Sequence, residues 1–447
     1  MKTKTKFERL GLFDAKVPRY TSYPTAPHFS DRVGSGQMRE WVQAVPVGGH
    51  ISLYIHIPFC RRLCWFCACR TQGTATAAPV AAYLETLYAE IDLLAETLPE
   101  GVTLNRLHWG GGTPTLLTPE MIEILAQRIA KVLPFAPGAE FSVEIDPNEI
   151  DTARVDALVA AGMTRASIGV QDFDPHIQSV IGRDQSFETT AEAVEKLRTA
   201  GIHSLNADIL FGLPHQTPER ITDSVTKLLS LNPDRVALYG YAHVPWMARR
   251  QSLIPSQALP TPAERLNLFE IARKLFDWDG YLQIGIDHFA VPSDSLAKAQ
   301  AAGKLRRNFQ GYTDDQSDTL IGLGASSISR FPQGYAQNNP ATSRYVAAIR
   351  SGTFATSRGH AFSGDDLLRA RIIERIMCDF EVTAGEFGPD AEKVRDWMQS
   401  AEQAFDGAIV LQNDKLAIPL DAHALTRLVA RHFDTYTVQE GRHASAI

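Results

Sequence analysis

At 447 residues the chain is too long for one ordinary core, and two or three domains are expected. Its composition, 44% apolar and 21% charged with no low-complexity block, is that of a globular protein. A formal net charge of −7 argues against a nucleic-acid partner held mainly by phosphate contacts, but leaves room for a local basic pocket.

The N-terminal stretch "MKTKTKFERLGLFDAKVPRYTSYPTAPHF" has lysines but no continuous apolar run, so no signal peptide is read. No run approaches the roughly 20 apolar residues that a membrane helix needs. With five cysteines and no export signal, a reducing compartment is expected, the cytoplasm, rather than a disulfide framework. Short apolar runs then read as strands: 51–59, 104–109, 140–146, 165–171, 204–211, 235–241 and 282–287. Between them lie helices. In 79–98, Leu84, Leu87, Tyr88, Ile91, Leu94, Ala95 and Leu98 share one face. Thr118-Pro119-Glu120 and Thr217-Pro218-Glu219 each offer an N-cap hydroxyl, a first-turn proline and a first-turn acid. Thr261 and Glu264 fit a capping box.

Alternating β and α units predict an α/β fold with a parallel sheet, and about six units suggest a partial (β/α)6-type barrel. The unusual residues fall where strands end, at a shared mouth: Cys60 onward, "GGGTPT", Glu144, Gln171, Asp208 and "YAHVPW". From about residue 340 the pattern changes. A helix over 363–377, a hairpin turning at Asn413-Asp414 and a helix over 421–436 predict a mostly helical C-terminal domain. The expected division is 1–48, an N-terminal segment covering the mouth; 49–340, the barrel and its extension; and 341–447, the C-terminal domain. Cys378, among apolar residues at helical spacing, reads as a buried structural thiol.

The other four cysteines occupy "CRRLCWFCAC", residues 60–69, as C-x3-C-x2-C-x-C. Structural zinc normally uses paired ligands with a second pair well downstream, and none follows. A redox pair, Cys64 and Cys67, leaves Cys60 and Cys69 unexplained. Closely spaced thiolates favour an iron–sulfur cluster, with zinc and redox thiols as the competing readings. Three thiolates would leave one iron of a four-iron cluster open to an amine and a carboxylate. "HWGGGTPT" removes side chains at a strand end, so that backbone can approach a ligand, although a plain tight turn uses the same residues.

Cys60, Cys64, Phe66 and Cys67 form C-x3-C-x-aromatic-C after a first strand, which resembles the signature of radical S-adenosylmethionine (SAM) enzymes. The resemblance implies a radical SAM barrel, one 4Fe-4S cluster on Cys60, Cys64 and Cys67, and SAM cleaved to methionine and a 5′-deoxyadenosyl radical. With Cys69, the spacing resembles a narrower family, the oxygen-independent coproporphyrinogen III dehydrogenases (oxidases). The likeness continues in family order through "PRYTSYPTAPHF", "YIHIPFC", "HWGGGTPT", "VEIDP", "SIGVQDFD", "NADILFGLP", "YAHVPW", "IGIDHFAVP", "RRNFQGYT" and "LIGLGASSIS".

That family implies an oxidoreductase of haem biosynthesis, which turns two propionates of coproporphyrinogen III into vinyls to give protoporphyrinogen IX. It implies two SAM molecules, held among Tyr54, Phe66, Gly111, Gly112, Thr113, Glu144, Gln171, Arg183, Asp208, Ala242 and Ile328. Cys69 is expected to serve a catalytic step special to this branch, and, if "PRYTSYP" covers the mouth, Arg19 and Tyr20 are candidates near the substrate. The expected partners are the substrate, a small reducing donor such as flavodoxin or ferredoxin, and an unidentified electron acceptor; a monomer is expected. No general base is needed for the hydrogen abstraction, so the thirteen histidines are not read as an acid–base set. The nearest alternative is the related haem-chaperone branch, whose pattern lacks the fourth cysteine and the long N-terminal segment; a zinc-stabilised interaction protein is a third. Two departures from the family pattern stand out. Trp65 and Ala68 replace a tyrosine and a glycine in the cysteine loop, and Asp314-Asp315 follow "FQGYT". Acids beside a propionate-bearing substrate would repel it, so they are expected to face away or to change how substrate is handled.

Overall fold

The computed structural model describes residues 5–436 and Ala446. Six strands, β1 (His50–Ile57), β2 (Thr103–Gly111), β3 (Phe135–Ile145), β4 (Arg165–Gln171), β5 (Ser204–Phe211) and β6 (Arg235–Gly240), pair in chain order and all in parallel. Each is followed by helix: α1 (Ala78–Ala95), α2 (Pro119–Val132), α3 (Thr152–Ala160), α4 (Pro175–Ile181) with α5 (Phe187–Thr199), α6 (Pro218–Ser230) and α7 (Pro262–Trp278). The predicted starts are built as read. Thr118 accepts from the Met121 N–H, Thr217 from that of Arg220, and Thr261 and Glu264 close a capping box.

One face of each strand buries apolar residues, as in Ile51, Leu53, Ile55 and Ile57 of β1. The other face carries polar residues that would be costly to bury unpaired. Ser52, Arg106, Glu140, Arg165, Asn206 and Arg235, one from each of the six strands, line a single cavity of about 260 Å³. The sheet therefore curls around a polar interior as a partial barrel.

The run 282–287 is not a seventh parallel strand. It divides at Gly285, which sits at φ +54 where a Cβ would strike the Tyr312 ring. The result is two short antiparallel edge strands, β7 (Leu282–Ile284) and β8 (His288–Ala290), with β8 against β6. A seventh parallel strand comes instead from "LIGLGASSIS". This is β9 (Leu320–Leu323), which pairs with β1 on the side away from β2. Antiparallel β10 (Ile328–Phe331), β11 (Gly334–Asn338) and β12 (Thr356–Ala361) extend that edge. The large sheet runs β12-β11-β10-β9-β1-β2-β3-β4-β5-β6-β8-β7 and has two free ends.

The large sheet continues past residue 340: Tyr345, Ile349 and Phe354 lie in its core. A second core begins with α8 (Asp366–Asp379) and includes α9 (Ala391–Ala404), α10 (Thr426–His432) and a small antiparallel sheet. Its hairpin turns at Asn413 and Asp414, both at positive φ as a type I′ turn requires. Leu12, Val17, Tyr20 and Tyr23 of the N-terminal segment belong to this second core. The Tyr20 hydroxyl donates to Asp434 (3.0 Å) and Arg427 Nε donates to the Pro18 carbonyl (3.1 Å). Cys378 is fully buried, packed with Ile284, Leu296 and Tyr312.

Candidate functional site

The cysteine loop leaves β1 through the short strand Phe59–Cys60 and returns through Gln72–Gly73. The glycine run at the end of β2 is stitched to it. Gly112 N–H donates to the Ile57 carbonyl (2.9 Å) and Thr113 N–H to that of Phe59 (2.7 Å). A Cβ on Gly112 would lie 2.5 Å from the Phe59 oxygen, so only glycine permits this approach.

Cys60, Cys64, Cys67 and Cys69 line one cavity of about 240 Å³, together with Phe66, Gly111, Gly112 and Thr113. The ends of β3, β4 and β5 add Glu144, Gln171 and Asp208, and the turn after α4 adds Arg183. Twelve of the fifteen expected site residues thus share one space. Tyr54 stands just behind it. Its ring stacks on His108 (5.7 Å between centroids, 15° between planes) and its hydroxyl lies 2.9 Å from His56 Nδ1. Ala242 and Ile328 do not line the cavity. The Ala242 carbonyl accepts from Gln251 Nε2 (3.0 Å), which also donates to the Phe66 carbonyl (2.7 Å). Ile328 opens β10, paired with Gln337.

The charged groups are held in defined states. Burial pushes the Glu144 carboxyl up, but His108 and the Gly111 N–H (2.9 Å) outweigh it and keep it below its ordinary value. Burial lifts Asp208 to about 6, although Asn206 donates to it. Arg183 donates to the Gly169 carbonyl (2.8 Å) and to Gln185, with Nη1 3.5 Å from Asp146 and 3.7 Å from the Cys64 sulfur. Glu144, Ser167 and Asp208 also face the barrel interior, so the two cavities share a wall.

The donor set fits a multi-iron cluster. Among the described residues, no three His, Cys, Asp or Glu side chains converge as ligands of one metal ion. The three thiols line one cavity, a donor set that suits one thiolate per iron on a cluster surface. Burial raises Cys60 to about 11 and raises Cys64 as well, so binding metal would release protons.

Several neighbours escaped the sequence reading. Arg250 lines the cavity and donates to the Cys69 carbonyl (3.2 Å) and Thr71 (3.0 Å); it lies just beyond "YAHVPW". His108 and His56 support Tyr54 and Glu144; their alternation along β1 and β2 was the available signal. The two departures also have an account. The Trp65 indole packs on Gly182, the left-handed C-cap of α4 (φ +67). Asp314 pairs with Arg106 (2.6 Å) and Asp315 accepts from Ser52, so both acids are engaged by groups of the barrel interior.

The family model of the radical SAM superfamily matches residues 54–228. The chain is 61% identical to an oxygen-independent coproporphyrinogen III oxidase of Paracoccus denitrificans, over 100% of both chains. It is 36% identical to that of Escherichia coli, over 95% of this chain and 94% of the relative. The solved coproporphyrinogen III oxidase (HemN) from Escherichia coli, described as a radical SAM enzyme, superposes with a TM-score of 0.89 at 34% identity, over 95% of this chain and 100% of that one. Similar in sequence and in backbone along nearly its whole length, the chain belongs to the family of oxygen-independent coproporphyrinogen III oxidases.

Proposed function

We propose that this chain carries out the anaerobic oxidative decarboxylation of two propionates of coproporphyrinogen III to vinyls, giving protoporphyrinogen IX in haem biosynthesis. The observation that carries this reading is one cavity that gathers three thiols, a glycine cradle and the fourth thiol, Cys69, in a chain alike to oxidases from end to end. In this reading Cys60, Cys64 and Cys67 hold a 4Fe-4S cluster. Gly111, Gly112 and Thr113 bring backbone against SAM, the ionised Glu144 suits its ammonium or ribose hydroxyls, and Arg183 its carboxylate. When bound, the cluster and SAM would supply 5′-deoxyadenosyl radicals, one for the β-hydrogen of each propionate, with one carbon dioxide and one electron leaving each time.

The chain's own residues position and exclude. Phe66, fixed through Gln251, closes one side. Tyr54, Gln171, Asp208, Ala242 and Ile328 are likewise assigned to SAM, some of them to the second molecule. Cys69 is the proposed catalytic thiol. Residues 1–48 are assigned to the cover of the mouth; the apolar core that Leu12, Val17, Tyr20 and Tyr23 share with the residues from α8 onward supports an anchor there. Flavodoxin or ferredoxin is the proposed donor, the surplus electron leaves to an unidentified acceptor, and the protein acts as a cytoplasmic monomer. Among the described residues no helix is long and apolar enough to cross a membrane.

The haem-chaperone alternative gains nothing from these likenesses: both relatives above are oxidases, and that of Paracoccus denitrificans matches over the whole of this chain, Cys69 and the N-terminal segment included. The test is anaerobic reconstitution followed by dithionite, SAM and coproporphyrinogen III. Protoporphyrin after oxidation, together with 5′-deoxyadenosine, is the expected result. Neither product from protein with a full cluster, with tight haem binding instead, would return the chaperone reading.

A further inference from the structure

A third cavity, of about 90 Å³, is lined by Gly240 and Tyr241 at the end of β6. It is walled by Phe211, Tyr241 and Phe269, and three guanidinium groups face it from distant parts of the chain: Arg19, Arg265 on α7 and Arg427 on α10. Each is oriented by backbone carbonyls. Arg19 donates to Gly240 (2.6 Å), Arg265 to Gly212 (3.2 Å) and Tyr241 (2.9 Å), and Arg427 to Pro18 (3.1 Å), Ala446 (3.0 Å) and Val17. The carboxylate on the same wall, Asp287, lies 2.7 Å from His288 and 3.8 Å from Arg307, and its charge also acts on Arg19 and Arg427.

Three cations above an aromatic wall suit a carboxylate carried on a short hydrocarbon arm. The guanidinium forks match its oxygens, and the rings cover its methylene stem. Burial, then the neighbouring charge of Arg19, pushes Arg265 down to about 10 and Arg427 down to about 9. An anion brought into the cavity would relieve both effects. The position fits a molecule with several carboxylates. The wall residues Gly240 and Tyr241 run directly into Ala242, which Gln251 ties to Phe66 of the cysteine loop. Residues 240–242 thus link the wall of this cavity to the loop that carries Phe66.

Resting on the oxidase reading, we propose that the cavity between β6, α7 and α10 is a carboxylate subsite that holds a propionate of the substrate other than the one reacting. Arg19, Arg265 and Arg427 are its binding residues, and they set how the ring is turned toward the radical centre.

The probes are coproporphyrin III, the fluorescent oxidised tetracarboxylate, and its tetramethyl ester, titrated into cluster-loaded protein. The free acid is expected to bind at least about tenfold more tightly than the ester. Arg265→Met and Arg19→Met each weaken free-acid binding about tenfold or more, with iron content and SAM affinity unchanged, and Arg265→Lys restores most of it. Leu266→Trp fills the cavity, leaves every guanidinium in place and weakens binding likewise, so the result does not depend on how an arginine variant folds. Binding within about twofold of wild type in all of these variants overturns the subsite and leaves the arginines as clamps of the fold. Failure of wild-type protein to form protoporphyrinogen overturns the oxidase reading instead, a result the binding titration cannot mimic.

Discussion

Cys69 differs from the three thiols before it in how it is held. It is exposed at the cavity rim, its N–H donates to the Cys67 sulfur (3.4 Å), and its carbonyl is fixed by Arg250. Cys69→Ser is expected to keep full iron content and to lose turnover, read by iron analysis beside the product assay. Full turnover in that variant would remove Cys69 from the mechanism. Glu140, in the barrel interior, gives a pH prediction. Burial pushes its carboxyl up from 4.5, but Arg165, Arg106 and Arg235 outweigh burial and hold it at about 2. A carboxyl that is more acidic folded than unfolded stabilises the fold while ionised. Its contribution is full above about pH 5 and fades as pH falls toward 2. Wild-type protein is expected to lose about 2 kcal/mol from this source between pH 5 and pH 3. Denaturant titrations at those two pH values should show that loss in wild type and not in Glu140→Gln. Equal losses in both would place the acid sensitivity elsewhere.

At the scale of elements, the join between β2 and the cysteine loop depends on the absence of a side chain at Gly112, because the atoms a Cβ would strike are backbone. Gly112→Ala is expected to cost about 1–3 kcal/mol and to impair cluster retention, measured by thermal unfolding and by iron per chain. A variant that retains its iron and its melting point would show that the loop can shift. Much at this scale was legible. The strands at 165–171 and 204–211 have the bounds that their apolar runs suggested, and the three capping threonines cap. The run 282–287 misled because its apolar content matches a strand, while Gly285 turns the chain for the sake of Tyr312, a contact local pattern does not encode. The cysteine cavity was legible because its residues mark strand ends. The arginine cavity was not, since Arg19, Arg265 and Arg427 meet only through the packing of two cores. Dismissing the histidines as a class also hid His56 and His108, whose neighbours along the strands are the very residues the resemblance selected.

At the scale of the molecule, the stretch from Leu12 to Tyr23 and the last helices share one apolar core. The Tyr20 hydroxyl donates to the buried Asp434, and Tyr23 meets Thr435 (3.2 Å). Tyr20→Phe leaves a buried carboxylate short of a donor and is expected to cost about 1–3 kcal/mol. Hydrogen exchange should then quicken across residues 17–25 and α10 together while β1–β6 stay protected. Quickening confined to residues 17–25 would argue that the segment docks alone. The same joint fixes an order of assembly. Residues 17–23 are made first but cannot settle until α10 and Asp434 have left the ribosome, after every barrel strand. The cysteine loop is complete long before that latch closes. Once the last helices fold, the stretch from Leu12 to Tyr23, and with it Arg19, has the apolar partners it packs on.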